Sequence, residues 1–146
     1  MIYMEKQGGL ETHSAVRDNL LNAITNFKIT TDSLSKITEI NSEWFKSFLN
    51  KKVSTESLSL ETRLSLSNLS FMLDQGITMI DNDDRIRSVI DVLNGDFSIS
   101  YETLALYSGI TVEDINNFKD ESTSIPLEKK YKLAVKCLFI HYILKK

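Results

Sequence analysis

Side chains able to do chemistry are few in this chain, and their spacing assembles no catalytic site. The two histidines, His13 and His141, lie 128 positions apart, so a paired-histidine metal motif is absent. The five glycines are scattered, and neither a phosphate-binding loop nor a Gly-x-Ser-x-Gly nucleophile signature occurs. The acidic run at 81–84 resembles a calcium-loop fragment but lacks the central glycine and distal glutamate. The sequence therefore predicts no enzyme, no cofactor and no metal site.

Cysteine usage and apolar runs indicate a cellular compartment. The single cysteine, Cys137, excludes an internal disulfide and suits a reducing cytoplasm, and its apolar neighbours predict a buried thiol. The first nine residues contain no apolar run of signal-peptide length. No run elsewhere approaches the ~20 apolar residues needed to cross a bilayer. We expect a soluble cytoplasmic protein that does not associate with membranes.

The charge distribution limits what the chain can bind. The net charge is −3, whereas affinity for nucleic-acid phosphates comes mostly from Lys and Arg. Residues 19–74 carry six basic and six acidic groups, and residues 83–146 carry nine and ten. Neither half is cationic overall, so any nucleic-acid site must be local.

Two segments of the chain, residues 29–48 and 99–118, align without a gap. Apolar residues meet at the matched positions that a buried pair of helices requires. These positions are Leu34 and Leu104, Ile37 and Tyr107, Ile40 and Ile110, Phe45 and Ile115, and Phe48 and Phe118. The match predicts that one small helical unit is used twice.

Capping and turn residues predict helices throughout. Thr30 and Asn41 can cap two helices in the first segment, as Ser100 and Thr111 can in the second. Pro126 is suited to the start of the last helix. Because β-hairpin signals are absent, the predicted fold is all-α. We expect a flexible arm at 1–12, a first repeat at 13–75, a linker at 76–83, and a second repeat with the C-terminal helix at 84–146.

The two segments resemble the phage-repressor-type (lambda-like, Xre) helix-turn-helix family. The second segment carries its Leu-Ala pair at 104–105, the turn glycine Gly109 and the cap Thr111. The first segment departs from the pattern, with Ser35 for the usual alanine and Glu39 for the usual glycine. The resemblance implies two tandem lambda-repressor-like helix-turn-helix bundles followed by a long apolar C-terminal helix.

In that family the second helix of the motif enters the major groove of double-stranded DNA. For the first copy, the resemblance implies a DNA-binding surface of polar and basic residues. These residues are Asn41, Ser42, Glu43, Lys46, Ser47, Lys51 and Lys52. The second copy would present Val112, Glu113, Asn116 and Asn117, and the carboxylates of Glu113 and Asp114 would face the duplex, although both also suit a helix N-terminus. We expect the second copy to read DNA poorly.

Two further features suggest contacts with proteins. Trp44 occupies an outward position, from which it could anchor a protein partner or fold back over a neighbouring helix. Residues 133–144 are apolar at ten of twelve positions, so this helix needs cover on every side. Either self-association through this helix or a central position in the core of the chain would provide that cover. The predicted protein-interface residues are Trp44, Val135, Leu138, Phe139, Tyr142 and Ile143.

Two functions from different classes follow. The first is a small bacterial or phage-like transcriptional regulator that binds DNA through the first copy as a homodimer. The second is an interaction module that keeps the repressor-like fold but binds a regulatory protein partner, as an anti-repressor, antitoxin or adaptor does. Net acidity and Trp44 favour the second. Alanine substitution of the three lysines and of Trp44 distinguishes them.

Overall fold

The computed structural model describes the backbone of residues 2–121 and 123–145, and side chains from residue 15 onwards within those ranges. All regular elements in these ranges are helical. They divide into two compact units, residues 1–79 and 80–146, and the boundary lies within the predicted linker. None of the described helices is both long enough and apolar enough to cross a membrane.

The described part of the first unit consists of five α-helices, a short 3-10 turn and a π-helical segment. They are α1 (Ile2–Phe27), α2 (Thr31–Thr38), α3 (Ser42–Leu49), a 3-10 turn (Thr55–Ser57), α4 (Leu60–Phe71), a π-helical segment (Met72–Gly76) and α5 (Ile77–Met79). The helical backbone of α1 begins at Ile2 and includes residues 2–12 of the predicted arm. Adding residues to an existing helix costs far less than starting one, so α1 can extend beyond its packed portion.

The second unit contains four helices and its own core. They are α6 (Asn82–Gly95), α7 (Tyr101–Ser108), α8 (Val112–Lys119) and α9 (Leu127–Leu144). Its fully buried residues come from all four: Ile90 and Leu93, Leu104, Ile115, and Leu133 with Cys137. Burial raises the pKa of the Cys137 thiol to about 11, which keeps it protonated at neutral pH.

The α2–α3 pair and the α7–α8 pair have the same arrangement along the chain, and their helices begin 70 residues apart. α2 and α7 are both eight residues long and begin at Thr31 and Tyr101, and α3 and α8 begin at Ser42 and Val112. The predicted caps are all present, because the side chains of Thr30, Asn41, Ser100 and Thr111 accept hydrogen bonds from the first turns.

Several residues expected in the cores are exposed. The first core contains the predicted Leu34, Phe45 and Phe48, together with Val16, Leu20 and Leu66. The prediction was wrong, however, for Ile37 and Tyr107, the one aligned pair of which both members are exposed. Helices this short bury one narrow face, so additional apolar residues remain outside.

Candidate nucleic-acid interface

The turn between α2 and α3 is three residues long, and hydrogen bonds connect it to the last turn of α2. The Thr38 hydroxyl donates to the Leu34 carbonyl oxygen at 2.6 Å and accepts from the Ile40 N–H at 3.2 Å. Glu39 takes a left-handed conformation, with φ of 62°, and its N–H donates to the Ser35 carbonyl oxygen. These contacts fix the angle at which α3 leaves α2, as a helix-turn-helix requires.

The predicted base-reading residues lie together at the start of α3. The Asn41 side chain accepts a 2.8 Å hydrogen bond from the Glu43 N–H and so caps the helix. Glu43 is exposed and pairs with Lys46 one turn later, at 3.1 Å between carboxylate and ammonium. Ser42 and Ser47 are half-buried. The surface thus combines hydroxyl, carboxylate and ammonium groups, which can contact base edges in a major groove.

Two lysines extend this surface past the end of α3. Lys51 and Lys52 are exposed, and their backbone N–H groups donate to the carbonyl oxygens of Phe48 and Ser47, which holds them close to the helix. Lys51 takes a left-handed conformation, with φ of 61°. Within the described residues neither ammonium forms an ion pair, so both charges are available for phosphates.

An arginine on α1 supports the far end of α3, and the sequence analysis missed it. Arg17 Nε donates to the Phe48 carbonyl oxygen at 2.8 Å, with its guanidinium over the Phe48 ring. Arg87 makes the same contacts with Phe118. Both arginines precede their phenylalanine by 31 residues, and extending the alignment upstream of residue 29 would have revealed that spacing.

Comparison with known proteins agrees with this geometry. Residues 11–146 match the family model described as a helix-turn-helix domain. The chain belongs to this helix-turn-helix family. Neither the curated proteins nor the solved structures give a match. Membership in a helix-turn-helix family suggests a DNA-binding regulator in general terms, because this module places a helix in the major groove.

In this helix-turn-helix protein, Trp44 folds back over its own unit. Its ring stacks on Phe48, with centroids 4.9 Å apart and planes inclined by 13°, and meets Phe45 edge-on. The indole N–H donates to the Ser57 hydroxyl at 3.0 Å. The side chain is half-buried, so of the two alternatives left open by the sequence, the geometry matches the folded-back one.

The α7–α8 pair presents a different surface from the α2–α3 pair of this helix-turn-helix protein. Glu113 and Asn116 are exposed, Val112 is partly exposed and Asn117 is half-buried. Lys119, on the last turn of α8, is paired with Asp91. Lys119 is therefore not available to contact phosphates in the way that Lys51 and Lys52 are.

The prediction that Asp114 faces the duplex was wrong. Asp114 is buried, and its carboxylate accepts from the Thr111 N–H at 3.0 Å within a capping box. Lys129 Nζ lies 3.0 Å from the same carboxylate. The Thr111 hydrogen bond, followed by the bond from Lys129, holds the pKa of Asp114 below its ordinary value. The carboxylate is therefore committed to contacts within its own unit.

The C-terminal helix of this helix-turn-helix protein is covered on one side only. Leu133 and Cys137 are fully buried, and α9 packs on α6 and α7 within its unit. The α9 residues predicted to form a protein interface are all exposed, by 45% to 77%: Val135, Leu138, Phe139, Tyr142 and Ile143. The described part of the second unit does not enclose residues 133–144 on every side and leaves an apolar face of α9 exposed.

Proposed function

We propose that this protein is a lambda-repressor-like (Xre-type) transcriptional regulator that binds duplex DNA through the α2–α3 pair. The observation that carries the proposal is the pair of exposed lysines, Lys51 and Lys52, directly after a helix with a polar exposed face. In this arrangement α3 enters the major groove, and the two lysines contact phosphates on its flank.

The second half of the proposal concerns the α7–α8 pair. We infer that it is a diverged tandem copy, supported by helices, caps and an arginine–phenylalanine contact that recur 70 residues later. Because Asp114 and Lys119 are paired internally, this copy acts as scaffold rather than as DNA reader. The protein functions in the cytoplasm as a homodimer, and the exposed face of α9 supports the dimer.

Fluorescence anisotropy on duplex DNA across a salt series tests the proposal. The Lys51→Ala/Lys52→Ala variant should bind more weakly and lower the salt slope by about 2, because each phosphate contact contributes roughly 0.9. The Lys46→Ala/Lys51→Ala/Lys52→Ala variant should lower it further. A control variant, Lys132→Ala/Lys136→Ala, removes the same charge from α9 and should leave the slope unchanged. Equal slopes for the double variant and its control would overturn the proposed surface.

A protein-binding function is the second candidate. The observation that favours it is the exposure of Leu106 and Tyr107 on α7, by 77% and 65%. Such a surface can bind an apolar segment of another regulatory protein. Failure to bind any duplex at low salt, combined with loss of a captured partner in Leu106→Ser but not in Leu60→Ser, would favour this function over DNA binding. Leu60 is a suitable control because it is similarly exposed.

A further inference from the structure

A regular series of exposed residues runs along one side of α9. Their spacing alternates between three and four residues, which is the heptad spacing of a helix that packs against another helix. The series, called here the α9 seam, is Glu128, Tyr131, Val135, Leu138, Tyr142 and Lys145. Lys145 directly follows the last helical residue, Leu144.

The α9 seam is complementary to itself when reversed. If a second copy lies antiparallel about an axis between positions 136 and 137, Tyr131 faces the second copy's Tyr142 and Val135 faces its Leu138. Glu128 then faces the second copy's Lys145 at both ends. In a parallel arrangement, glutamate would face glutamate and lysine would face lysine, which is repulsive.

We propose that two copies of this chain associate through antiparallel pairing of their α9 seams. The inference rests on the proposed function for its homodimer, and it adds the interface, the register and the orientation. The seam residues are free to make these contacts, since Tyr131 and Tyr142 are 69% and 77% exposed and the Glu128 side chain is 79% exposed. Within α9, Glu128 has only a 3.4 Å contact with Lys132, which is weak at the surface.

The area available fits a weak dimer. A tyrosine buries ~150–250 Å² when enclosed. Two tyrosines with Val135 and Leu138 therefore supply on the order of several hundred Å² per copy, near the lower end for specific interfaces. The dimer should dissociate on dilution, and the charged ends contribute to orientation more than to strength.

Charge reversal tests the pairing. Light scattering of the full chain over a concentration series measures its dissociation constant. Glu128→Lys or Lys145→Glu alone should raise that constant about tenfold, because each breaks two pairs and creates two like-charge contacts. The Glu128→Lys/Lys145→Glu double variant should return close to the wild-type value. Failure of the double variant to recover, or a wild-type chain that is monomeric at all concentrations, would overturn the pairing.

Apolar variants separate the seam from the rest of α9. Leu138→Ser should weaken the dimer, whereas Ile143→Ser should not. Ile143 is also exposed, but it is outside the heptad positions and lines a groove of about 550 Å³ between α7 and α9. Equal weakening by both variants would contradict the register. Circular dichroism confirms that each variant remains folded.

Disulfide trapping distinguishes the two orientations. A Glu128→Cys chain mixed with a Lys145→Cys chain should give a covalent dimer on oxidation, because the antiparallel register brings these positions together. Either chain alone should give none, because the antiparallel register places its two introduced cysteines at opposite ends of the helix pair and the native Cys137 is buried. Self-cross-linking of Glu128→Cys alone would indicate a parallel dimer and overturn the inference.

The outcomes also separate this inference from the proposed function. Duplex binding that persists while seam variants leave the mass unchanged would overturn only the pairing. A dimer that responds to the seam variants but binds no duplex would overturn the DNA-binding proposal and retain the pairing.

Discussion

Arg17 on α1 holds the C-terminal end of α3 through Phe48, using two contacts from one side chain. Its Nε donates to the Phe48 carbonyl oxygen at 2.8 Å, and its guanidinium carbon lies 4.6 Å from the centroid of the Phe48 ring. Carbonyl groups at a helix end have no partner within the helix, and at Phe48 the Arg17 side chain adds a second donor besides the Lys51 N–H. Arg17 therefore stabilises the orientation of the helix that carries Glu43 and Lys46.

Arg17→Lys should destabilise the first unit by about 1–2 kcal/mol. Lysine keeps the charge but loses the planar group that donates and stacks at once. Urea unfolding followed by circular dichroism measures the loss, and amide hydrogen exchange locates it. Exchange should accelerate in α3 and remain unchanged in α8, whereas Arg87→Lys should give the reverse pattern. Unaltered α3 exchange in Arg17→Lys would contradict the role of this contact.

Glu39 and Gly109 occupy the same position in the two turns, with φ of 62° and 69°. A left-handed conformation costs a non-glycine residue roughly 1–2 kcal/mol. Glu39→Gly should therefore stabilise the first unit, by up to about 1 kcal/mol after the entropy of glycine in the unfolded chain is included. Gly109→Ala should destabilise the second unit by about 1 kcal/mol. Thermal unfolding measures both changes.

Gly95 supplies the control for these glycine substitutions. It ends α6 without a left-handed φ, and a Cβ there would meet nothing within 4 Å. Gly95→Ala should therefore be neutral or stabilising, by about 0.4–1 kcal/mol at most. Destabilisation by Gly95→Ala equal to that by Gly109→Ala would show that backbone conformation is not the cause.

If α3 reads DNA, Glu43→Gln should lower sequence specificity and raise affinity for duplexes of random sequence. The substitution removes a carboxylate from the exposed face and releases Lys46 from its 3.1 Å ion pair. Affinity for random duplex should rise, and discrimination at one base position should fall by about 1–3 kcal/mol. Anisotropy with a selected site and its single-base variants measures both. Glu113→Gln, at the corresponding position of α8, should change neither value.

Asp114 should make stability depend on pH in the acidic range. Its pKa is lowered in the folded state, so its contribution is present above the ordinary value of 3.8 and is lost as pH falls through the folded pKa. Asp114→Asn should be less stable at neutral pH and lose part of the stability change below about pH 4. Urea unfolding from pH 2.5 to 7 measures this dependence.

Lys129→Met tests how much of the pH dependence caused by Asp114 comes from its ion pair. It removes the ion pair but leaves the Thr111 N–H bond, the larger cause of the lowered pKa. The acidic part of the pH dependence should therefore shrink without disappearing. A complete loss in Lys129→Met would assign the effect to the ion pair instead.

Local signals in the sequence were sufficient for the elements around the turns. Caps such as Thr30 and Thr111 act within three residues, so the positions of α2 and α8 follow from sequence alone. Burial was less predictable. Ile37 shares helical spacing with Leu34 but is 56% exposed, because which apolar residues a short helix buries depends on neighbouring helices.

The long-range polar contacts of the site were not predicted from the sequence. Nothing local to Arg17 indicates that it reaches a carbonyl oxygen 31 residues away. The family resemblance implied that Asp114 faces the duplex, and no local signal indicated its partner Lys129, which lies on a different helix. The composition of the α3 surface, by contrast, follows from the sequence, since Glu43 and Lys46 lie one turn apart.

Because of its position, Trp44 can report by its fluorescence on the unfolding of the first unit. It is the only tryptophan, and its ring contacts Phe45, Phe48 and Ser57, all in the first unit. Tryptophan fluorescence, excited at wavelengths that the tyrosines do not absorb, therefore follows the first unit, whereas circular dichroism averages over both. If the unfolding transitions followed by fluorescence and by circular dichroism coincide, the two units unfold cooperatively. If they differ, each unit has its own free energy of unfolding.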